Sequence, residues 1–120
     1  MENGKRKDII ERTFKFGVNI IKLADYLPKT SAGLVIAKQI IRSGTSVGAN
    51  VEEAQDGLTK KEFVKSLSIA LKEARETNFW LKIALESNNL NLEKTKAVLE
   101  EVDELIKILV TIVKKSKIKL

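Results

Sequence analysis

The sequence from Arg42 to Ala54 is RSGTSVGANVEEA, and its interpretation decides the fold. Seven of the eight residues from Ser43 to Asn50 are small, in a chain otherwise rich in Leu, Ile, Val, Lys and Glu. Such a stretch fits either a loop or a helix thin enough for a neighbouring helix to approach closely. A phosphate-cradling loop is the sharper form of the first alternative, but the stretch matches no phosphate-loop pattern and follows no strand.

The spacing of the apolar residues favours the helix. They continue at helical intervals through the small-residue stretch without a change of phase, at Ile36, Ala37, Ile40, Ile41, Gly44, Val47, Gly48, Val51 and Ala54. Gly44 and Gly48 lie on this apolar face, where each glycine costs about 0.5–1 kcal/mol of helix stability relative to alanine. We therefore predict a thin helix whose packing offsets that cost.

Three further amphipathic segments predict an all-α fold in a single domain, residues 1–120. Pro28 ends the first helix, and Ser31 is positioned to cap the second. Thr59 and Glu62 have capping-box spacing, SNNLN supplies asparagines that tolerate a left-handed helix end, and Asn91 caps the last helix. The predicted helices cover about 8–27, 32–56, 60–87 and 92–115. Short turns between them predict an up-down-up-down antiparallel four-helix bundle.

The composition excludes several classes of site. The chain has no Cys and no His, so it lacks disulfides, thiolates, the commonest general base and the commonest transition-metal ligand. A helical nuclease of the Arg-x4-His type is excluded for the same reason. Glu53 and Asp56 share a helix face and are the best Mg²⁺ candidates, but adjacent carboxylates diverge and no catalytic dyad is evident. We expect no catalytic residue, no cofactor and no metal.

The distribution of apolar residues predicts a cytoplasmic protein. The N-terminal residues lead into an amphipathic segment rather than into the apolar run of a signal peptide. The longest apolar run, LIKILVTIV at 105–113, is too short to span a bilayer. We expect no membrane partner.

Two segments at a fixed spacing resemble a known family. RSGTSVGANVEEA is followed by KKEFVKSLSIALKEARETNFWL, and the pattern covers roughly Val35 to Leu85. It resembles the four-helix-bundle family of 23S rRNA intervening-sequence proteins. The residues at the family's motif positions are Arg42, Ser43, Ser46, Asn50, Glu53, Phe63, Ala70 and Glu76. Ala54 departs from the pattern, since many members have Gly there.

The resemblance implies a homo-oligomeric, pentameric ring of four-helix bundles. It also implies kinship with the accessory variability determinant proteins of diversity-generating retroelements, which assist a reverse transcriptase and bind nucleic acid. Family members are encoded within insertions in large-subunit ribosomal RNA genes or elsewhere in genomes, and their biochemical role is largely unassigned. The partners implied are further copies of the chain, RNA or DNA, and a reverse transcriptase or ribonucleoprotein.

The third helix carries more apolar residues than one face needs. At about 100° per residue, Ile69, Trp80 and Ile83 point about 130° away from its core-facing residues. Glu73 and Glu76 are interleaved with them. Because tryptophan is enriched at interface hot spots, we predict an oligomer interface built from these five residues. The alternative is a helix buried on more than one side within its own bundle.

A polar ridge runs along the second helix. Arg42, Ser46, Asn50 and Glu53 follow one another at intervals of four, four and three residues. We predict a structural polar network that ties helices or subunits together, with Arg42 reaching Glu53 or Glu76 of a neighbour. The alternative is a small polar functional site, in which a carboxylate is the sole candidate base.

Positive charge is concentrated in two terminal segments. Of the net charge of +6, residues 1–7 contribute +2 and residues 114–120 contribute +4, whereas residues 8–113 sum to zero. An up-down-up-down bundle brings both segments, which we predict to be basic tails, to one end beside the start of the third helix. The predicted basic pole consists of Lys5, Arg6, Lys7, Lys60, Lys61, Lys114, Lys115, Lys117 and Lys119. Solvated tails that only maintain solubility are the alternative.

These features predict a non-enzymatic, oligomeric protein that binds nucleic acid weakly and without base specificity. Tyr26 lies at the far end and the phenylalanines are predicted to be buried, so we expect contacts to phosphates rather than to bases. A protein-binding adaptor or scaffold, accessory to a reverse transcriptase or ribonucleoprotein, is the second hypothesis. An enzyme is the third, and it lacks a plausible set of catalytic groups.

Overall fold

Four helices make up the part of the chain that the computed structural model describes, residues 3–118. They are α1 (Asn3–Ala24), α2 (Ser31–Gln55), α3 (Lys60–Glu86) and α4 (Leu92–Ile118). These residues contain no strand, which confirms the predicted all-α class. None of the four helices combines the length and the apolarity that crossing a membrane requires.

The helices form an elongated bundle of about 46 × 22 × 20 Å. Thr13 lies against Gly48 while Ile20 lies against Gly44, so α1 and α2 run in opposite directions. Each helix packs on its neighbour in sequence, and α4 returns to α1 over the smallest of the four contacts. The start of α1, the α2–α3 turn and the end of α4 therefore share one end of the bundle, which we call the terminal end.

The glycines of α2 explain how closely α1 approaches. A Cβ added at Gly44 would lie 2.8 Å from the side chain of Ile20, and one at Gly48 would lie 3.0 Å from the carbonyl oxygen of Thr13. Both distances are shorter than ordinary van der Waals contact, so a side chain at either position would push α1 away. Because α2 is continuous through this stretch, the prediction of a thin helix is confirmed.

Helix ends follow capping chemistry, with one predicted cap wrong. Thr30, not Ser31, caps α2, because its side chain accepts a hydrogen bond from the Gly33 N–H. Thr59 accepts from the Glu62 N–H at 3.1 Å, and Asn91 accepts from the Lys94 N–H at 2.9 Å, as predicted. The turn after α3 contains Asn88 at a φ of 61°, the left-handed conformation expected of the SNNLN segment.

The outer helices differ most from their predicted bounds. Residues 3–7 are part of α1 and residues 114–118 are part of α4, so these two segments are not tails where the structure describes them. Lysine and arginine are good helix formers, and no proline interrupts either segment. At its other end α1 stops at Ala24, because the N–H groups of residues 25–27 donate to carbonyls three residues earlier and tighten the chain before Pro28.

The core runs the length of the bundle. Its largest fully buried side chains come from all four helices: Ile9, Phe16, Ile20, Ile40, Val47, Val51, Leu67, Leu81, Val102, Leu105 and Leu109. A buried hydroxyl pair joins α2 to α3, since the side-chain oxygens of Ser43 and Thr77 lie 2.9 Å apart. Each hydroxyl also contacts a carbonyl of its own helix, so these buried polar groups are satisfied without water.

Candidate functional site

Three predicted basic residues from separate segments meet at the terminal end. Arg6 from α1, Lys60 from the start of α3 and Lys115 from α4 line one open groove of about 1100 Å³ between α1 and α4, which we call the terminal groove. These residues are far apart in sequence, and the antiparallel order of the helices brings them together.

Four further residues of the predicted basic pole are exposed at the same end: Lys7, Lys61, Lys114 and Lys117. The backbone of Lys5 belongs to α1, but its side chain is not among those described, and Lys119 lies outside the described residues. Within the part of the chain that is described, the terminal end therefore presents seven of the nine predicted cations.

Sequence reasoning missed two features of the terminal groove. Lys107 is a fourth cation in the lining of the groove. Its position about two turns before Lys115 on the same helix could have predicted this. Phe63 was predicted to be a core residue, but it is half-buried and lines the groove. The Arg6 guanidinium lies 5.8 Å from the centre of the Phe63 ring, within the range of a cation–π contact.

Arg42 ties α2 to α3 within one chain. Its guanidinium pairs with the carboxylate of Glu73 at 3.2 Å and also with that of Glu76. Glu73 is only 8% exposed, so its nearly buried carboxylate takes this cation as its partner in place of water. The structure thus places both carboxylates, which we predicted as interface residues, in a salt-bridge cluster with Arg42 of their own chain.

Two other members of the predicted polar ridge bond to backbone instead. Ser46 donates to the carbonyl of Arg42 at 2.6 Å, and Asn50 donates to the carbonyl of Ser46 at 2.8 Å. Glu53 is exposed. Ser46 and Asn50 thus bond to their own helix, and the link between helices rests on Arg42.

The apolar stripe on α3 is partly exposed. Ile69 and Ile83 are each 38% exposed, whereas Trp80 is half-buried and packs against the core. The ring of Phe79 meets Trp80 edge to face, with 5.3 Å between the ring centres. Because Phe79 is 54% exposed, it extends this stripe, a contribution that sequence reasoning missed.

The prediction that the phenylalanines are buried is wrong for Phe79 and also for Phe14. Phe14 is 64% exposed, and Val18 and Ile21 on α1 are exposed as well. Their spacing of four and three residues was the signal for one helix face. Exposed Ile41 belongs to α2, whose neighbouring Gly44 faces α1, so these residues form a second apolar surface along the α1–α2 contact.

One ion pair closes the bundle between α1 and α4. Arg12 donates to both carboxylate oxygens of Glu101, from Nη2 at 2.6 Å and from Nε at 3.1 Å. The hydrogen bond to Glu101 raises the pKa of Arg12 above its ordinary value, although partial burial opposes the shift. The pair is about one-third exposed, so water screens part of its attraction.

Comparison with known proteins agrees with this architecture. The family model described as 23S rRNA-intervening sequence protein matches residues 5–111. The chain belongs to this family. The matched range includes nearly all of the four helices, with the thin helix, the Arg42 cluster and most of the terminal groove. No curated protein matches the chain.

A solved structure supports the family assignment. It is the 1.70 Å crystal structure of a protein with unknown function from the S23 ribosomal protein family of Bacteroides thetaiotaomicron. The present chain is similar to it with 34% sequence identity and a TM-score of 0.85, and the match covers 92% of this chain and 98% of that one. The likeness fixes the fold, and it leaves the function of this family open.

Proposed function

We propose that this protein is a non-enzymatic, oligomeric helical bundle whose terminal end binds the phosphates of nucleic acid, with RNA as the leading candidate. The observation that carries the proposal is the convergence of Arg6, Lys60 and Lys115 on one groove. Helix stability does not account for all of this charge. The first turn of α1 holds no acidic residue and carries cations where the helix dipole favours anions.

The exposed lysines favour contact with the phosphate backbone. Ammonium groups on flexible stems pair with phosphates without requiring a particular base, so binding is sequence-tolerant. Each phosphate contact releases counterions. A plot of the logarithm of the affinity for a single strand against the logarithm of the salt concentration then falls with a slope of about −0.7 per contact. In an oligomer the terminal end is repeated in each subunit, so weak contacts add by multivalency.

Charge-neutralising variants test this interface. In the variant Lys60→Gln, Lys114→Gln, Lys117→Gln, three exposed lysines of the terminal end lose their charge. We expect RNA affinity, measured by fluorescence anisotropy from 50 to 200 mM salt, to fall at least about tenfold and the salt slope to shrink by about 2. Substitution is preferable to removing residues 1–7 and 114–120, because much of each segment is helical.

A variant of equal net charge provides the control. Lys22→Gln, Lys29→Gln, Lys96→Gln also removes three exposed lysines, but from outside the terminal end. We expect it to bind RNA as the parent protein does. Equal losses in both variants would show that net charge alone drives binding, and no loss in either would contradict the proposal.

The oligomer of this proposal is a homopentameric ring assembled through the α3 stripe. It is supported by the exposure of Ile69, Phe79 and Ile83, apolar side chains that a lone bundle leaves in water. Light scattering after size exclusion should then give about 67 kDa, five times the 13.4 kDa of the chain. A mass of one chain would contradict it.

Two matched substitutions identify the interface. Ile83→Glu places a charge on the α3 stripe without disturbing the core packing of Trp80, and we expect it to yield folded single chains. Phe14→Glu places the same charge on the α1–α2 surface and should leave the oligomer intact. The reverse result would assign the interface to α1 and α2.

A protein-binding adaptor without nucleic-acid binding is the second candidate. The exposed apolar surface of Phe14, Val18, Ile21 and Ile41 favours it, because an apolar patch of this kind is typical of protein contacts. Heparin, a polyanion without bases or ribose, separates the two functions. If heparin binds with the same affinity as RNA of equal charge, the attraction is generic and fits an acidic protein partner. A clear preference for RNA supports the leading proposal.

A further inference from the structure

The floor of the terminal groove is apolar, which phosphate binding does not require. Phe63, Ile108 and Ile112 are half-buried along it, and Leu58 in the α2–α3 turn is 92% exposed at its edge. Phosphate oxygens gain nothing from such a surface. Leaving it in water costs free energy that an apolar ligand would recover.

The rim of the same groove is strongly basic. Its described lining includes four cations, Arg6, Lys60, Lys107 and Lys115, against one acid, Asp8. A ligand that matches both parts has an apolar body and a negative group. This charge complementarity disfavours a cationic amphiphile and gives a neutral hydrocarbon no electrostatic gain.

One cation at the groove has unused hydrogen-bonding capacity. Among the described residues, the buried Nε of Arg6 has no hydrogen-bond partner, although its guanidinium is held beside the ring of Phe63. A buried donor without an acceptor costs free energy, and a rotation of the Arg6 side chain that brings this nitrogen to an incoming carboxylate would remove that cost.

The dimensions of the groove suit an extended chain. Its lining on α4 runs from Lys107 to Ser116, about 14 Å at the helical rise of 1.5 Å per residue. Its volume of about 1100 Å³ lies just above the usual range of about 300–1,000 Å³ for small-molecule sites. It lies between α1 and α4, the pair of packed helices with the smallest contact, and it is open to solvent, so a ligand can enter from outside.

We propose that the terminal groove binds a free long-chain carboxylate, with its alkyl chain on the Phe63, Ile108 and Ile112 floor and its carboxylate against Arg6. This inference uses the same groove and the same Arg6 as the proposed nucleic-acid site, so the two ligands would compete there, but it does not rest on nucleic-acid binding. It requires neither an oligomer nor a second macromolecule.

Methyl NMR of the full chain labelled at isoleucine tests the site with three probes. Dodecanoate below its micellar concentration should shift the methyl signals of Ile9, Ile108 and Ile112, which line the groove. Dodecyltrimethylammonium has the same chain with the opposite charge, and acetate has the carboxylate without the chain. At equal concentrations, neither should produce these shifts, while Ile69 and Ile83 on α3 report binding elsewhere.

A filled groove provides the matched variant. Thr111 is exposed and lines the groove, so Thr111→Trp should obstruct it and weaken dodecanoate binding at least tenfold. Ala97→Trp places the same ring at an exposed position of α4 outside the groove and should bind as the parent protein does. Lys107→Gln should weaken binding severalfold without affecting the fold, because its side chain is exposed.

Several results would overturn the proposal. Equal shifts from dodecanoate and dodecyltrimethylammonium would show an apolar surface without selectivity for anions. Dodecanoate shifts confined to Ile69 and Ile83, or equal binding by the two Trp variants, would place the ligand elsewhere. Groove shifts produced by RNA or by phosphatidylglycerol vesicles, with none from free dodecanoate, would assign the groove to phosphate backbone or to a lipid surface.

Discussion

Helix α1 makes two unlike contacts with its neighbours. On one side it lies against α2 so closely that Gly44 and Gly48 leave no room for a Cβ. On the other side it meets α4 over the smallest contact in the bundle, closed by the pair of Arg12 and Glu101 and open at the terminal groove. The bundle thus concentrates rigid packing on one side of α1 and leaves the other side accessible.

The difference follows from how each contact is made. Backbone against backbone permits dense packing with almost no freedom to adjust, so the α1–α2 contact is intolerant of added volume. Long charged side chains span a gap and leave space beside them, so the α1–α4 contact tolerates change. A ligand is more easily accommodated at the second kind of contact, because it can occupy the open space without breaking the core.

Gly48→Leu should produce the largest loss. The new side chain must displace the carbonyl of Thr13, a backbone atom that cannot rotate away. We expect about 3 kcal/mol less free energy of unfolding, after a gain of just under 1 kcal/mol from better helix propensity. Thermal unfolding followed by circular dichroism should show a midpoint lowered by about 10 °C.

Gly4→Ala provides the control for helix propensity alone. A Cβ added at Gly4 meets no described atom within 4 Å, so this substitution should be neutral or slightly stabilising. If Gly48→Leu were as harmless as Gly4→Ala, the close approach of α1 and α2 would not be a source of stability.

Arg42→Ala should cost less, about 1–2 kcal/mol of unfolding free energy. It leaves the nearly buried carboxylate of Glu73 without its cation, but Arg42 is half-exposed, so water can replace part of the interaction. Urea unfolding measures the change. Arg75→Ala, which removes an exposed arginine from α3, should change stability by no more than about 0.5 kcal/mol. Equal effects of the two substitutions on the free energy of unfolding would show that the burial of the Glu73 carboxylate does not matter.

The sequence predicted those parts of the fold that local rules govern. Apolar spacing located all four helices, and the small residues of α2 predicted the close packing that Gly44 and Gly48 make. Cap residues were predicted correctly where the capping side chain and the backbone N–H that it accepts from lie three residues apart, as at Thr59 and Asn91. At α2 the predicted cap, Ser31, was wrong by one residue, since Thr30 caps the helix.

The parts that depend on inter-helix geometry were less predictable. Helix phase placed Arg42 and Glu76 on outward edges, but the rotation of α3 against α2 decides that Arg42 reaches Glu73 of its own chain. The same rotation leaves Phe79 exposed. The terminal groove depends on the gap between α1 and α4, which are distant in sequence, so three of its four cations were predicted, whereas Lys107 and the apolar floor were not.

Arg12→Ala should have the smallest effect on the free energy of unfolding. It tests how much the α1–α4 contact contributes to stability. The pair with Glu101 is about one-third exposed, so we expect about 0.5 kcal/mol less unfolding free energy and a midpoint lowered by a few degrees. A double-mutant cycle with Glu101→Ala isolates the pair, and its coupling should shrink at 1 M salt, where exposed charges are screened. A loss that matches Gly48→Leu would show that α1 depends equally on both neighbours. A small, salt-sensitive coupling would instead mean that the α1–α4 contact can open around a ligand at little cost to the bundle.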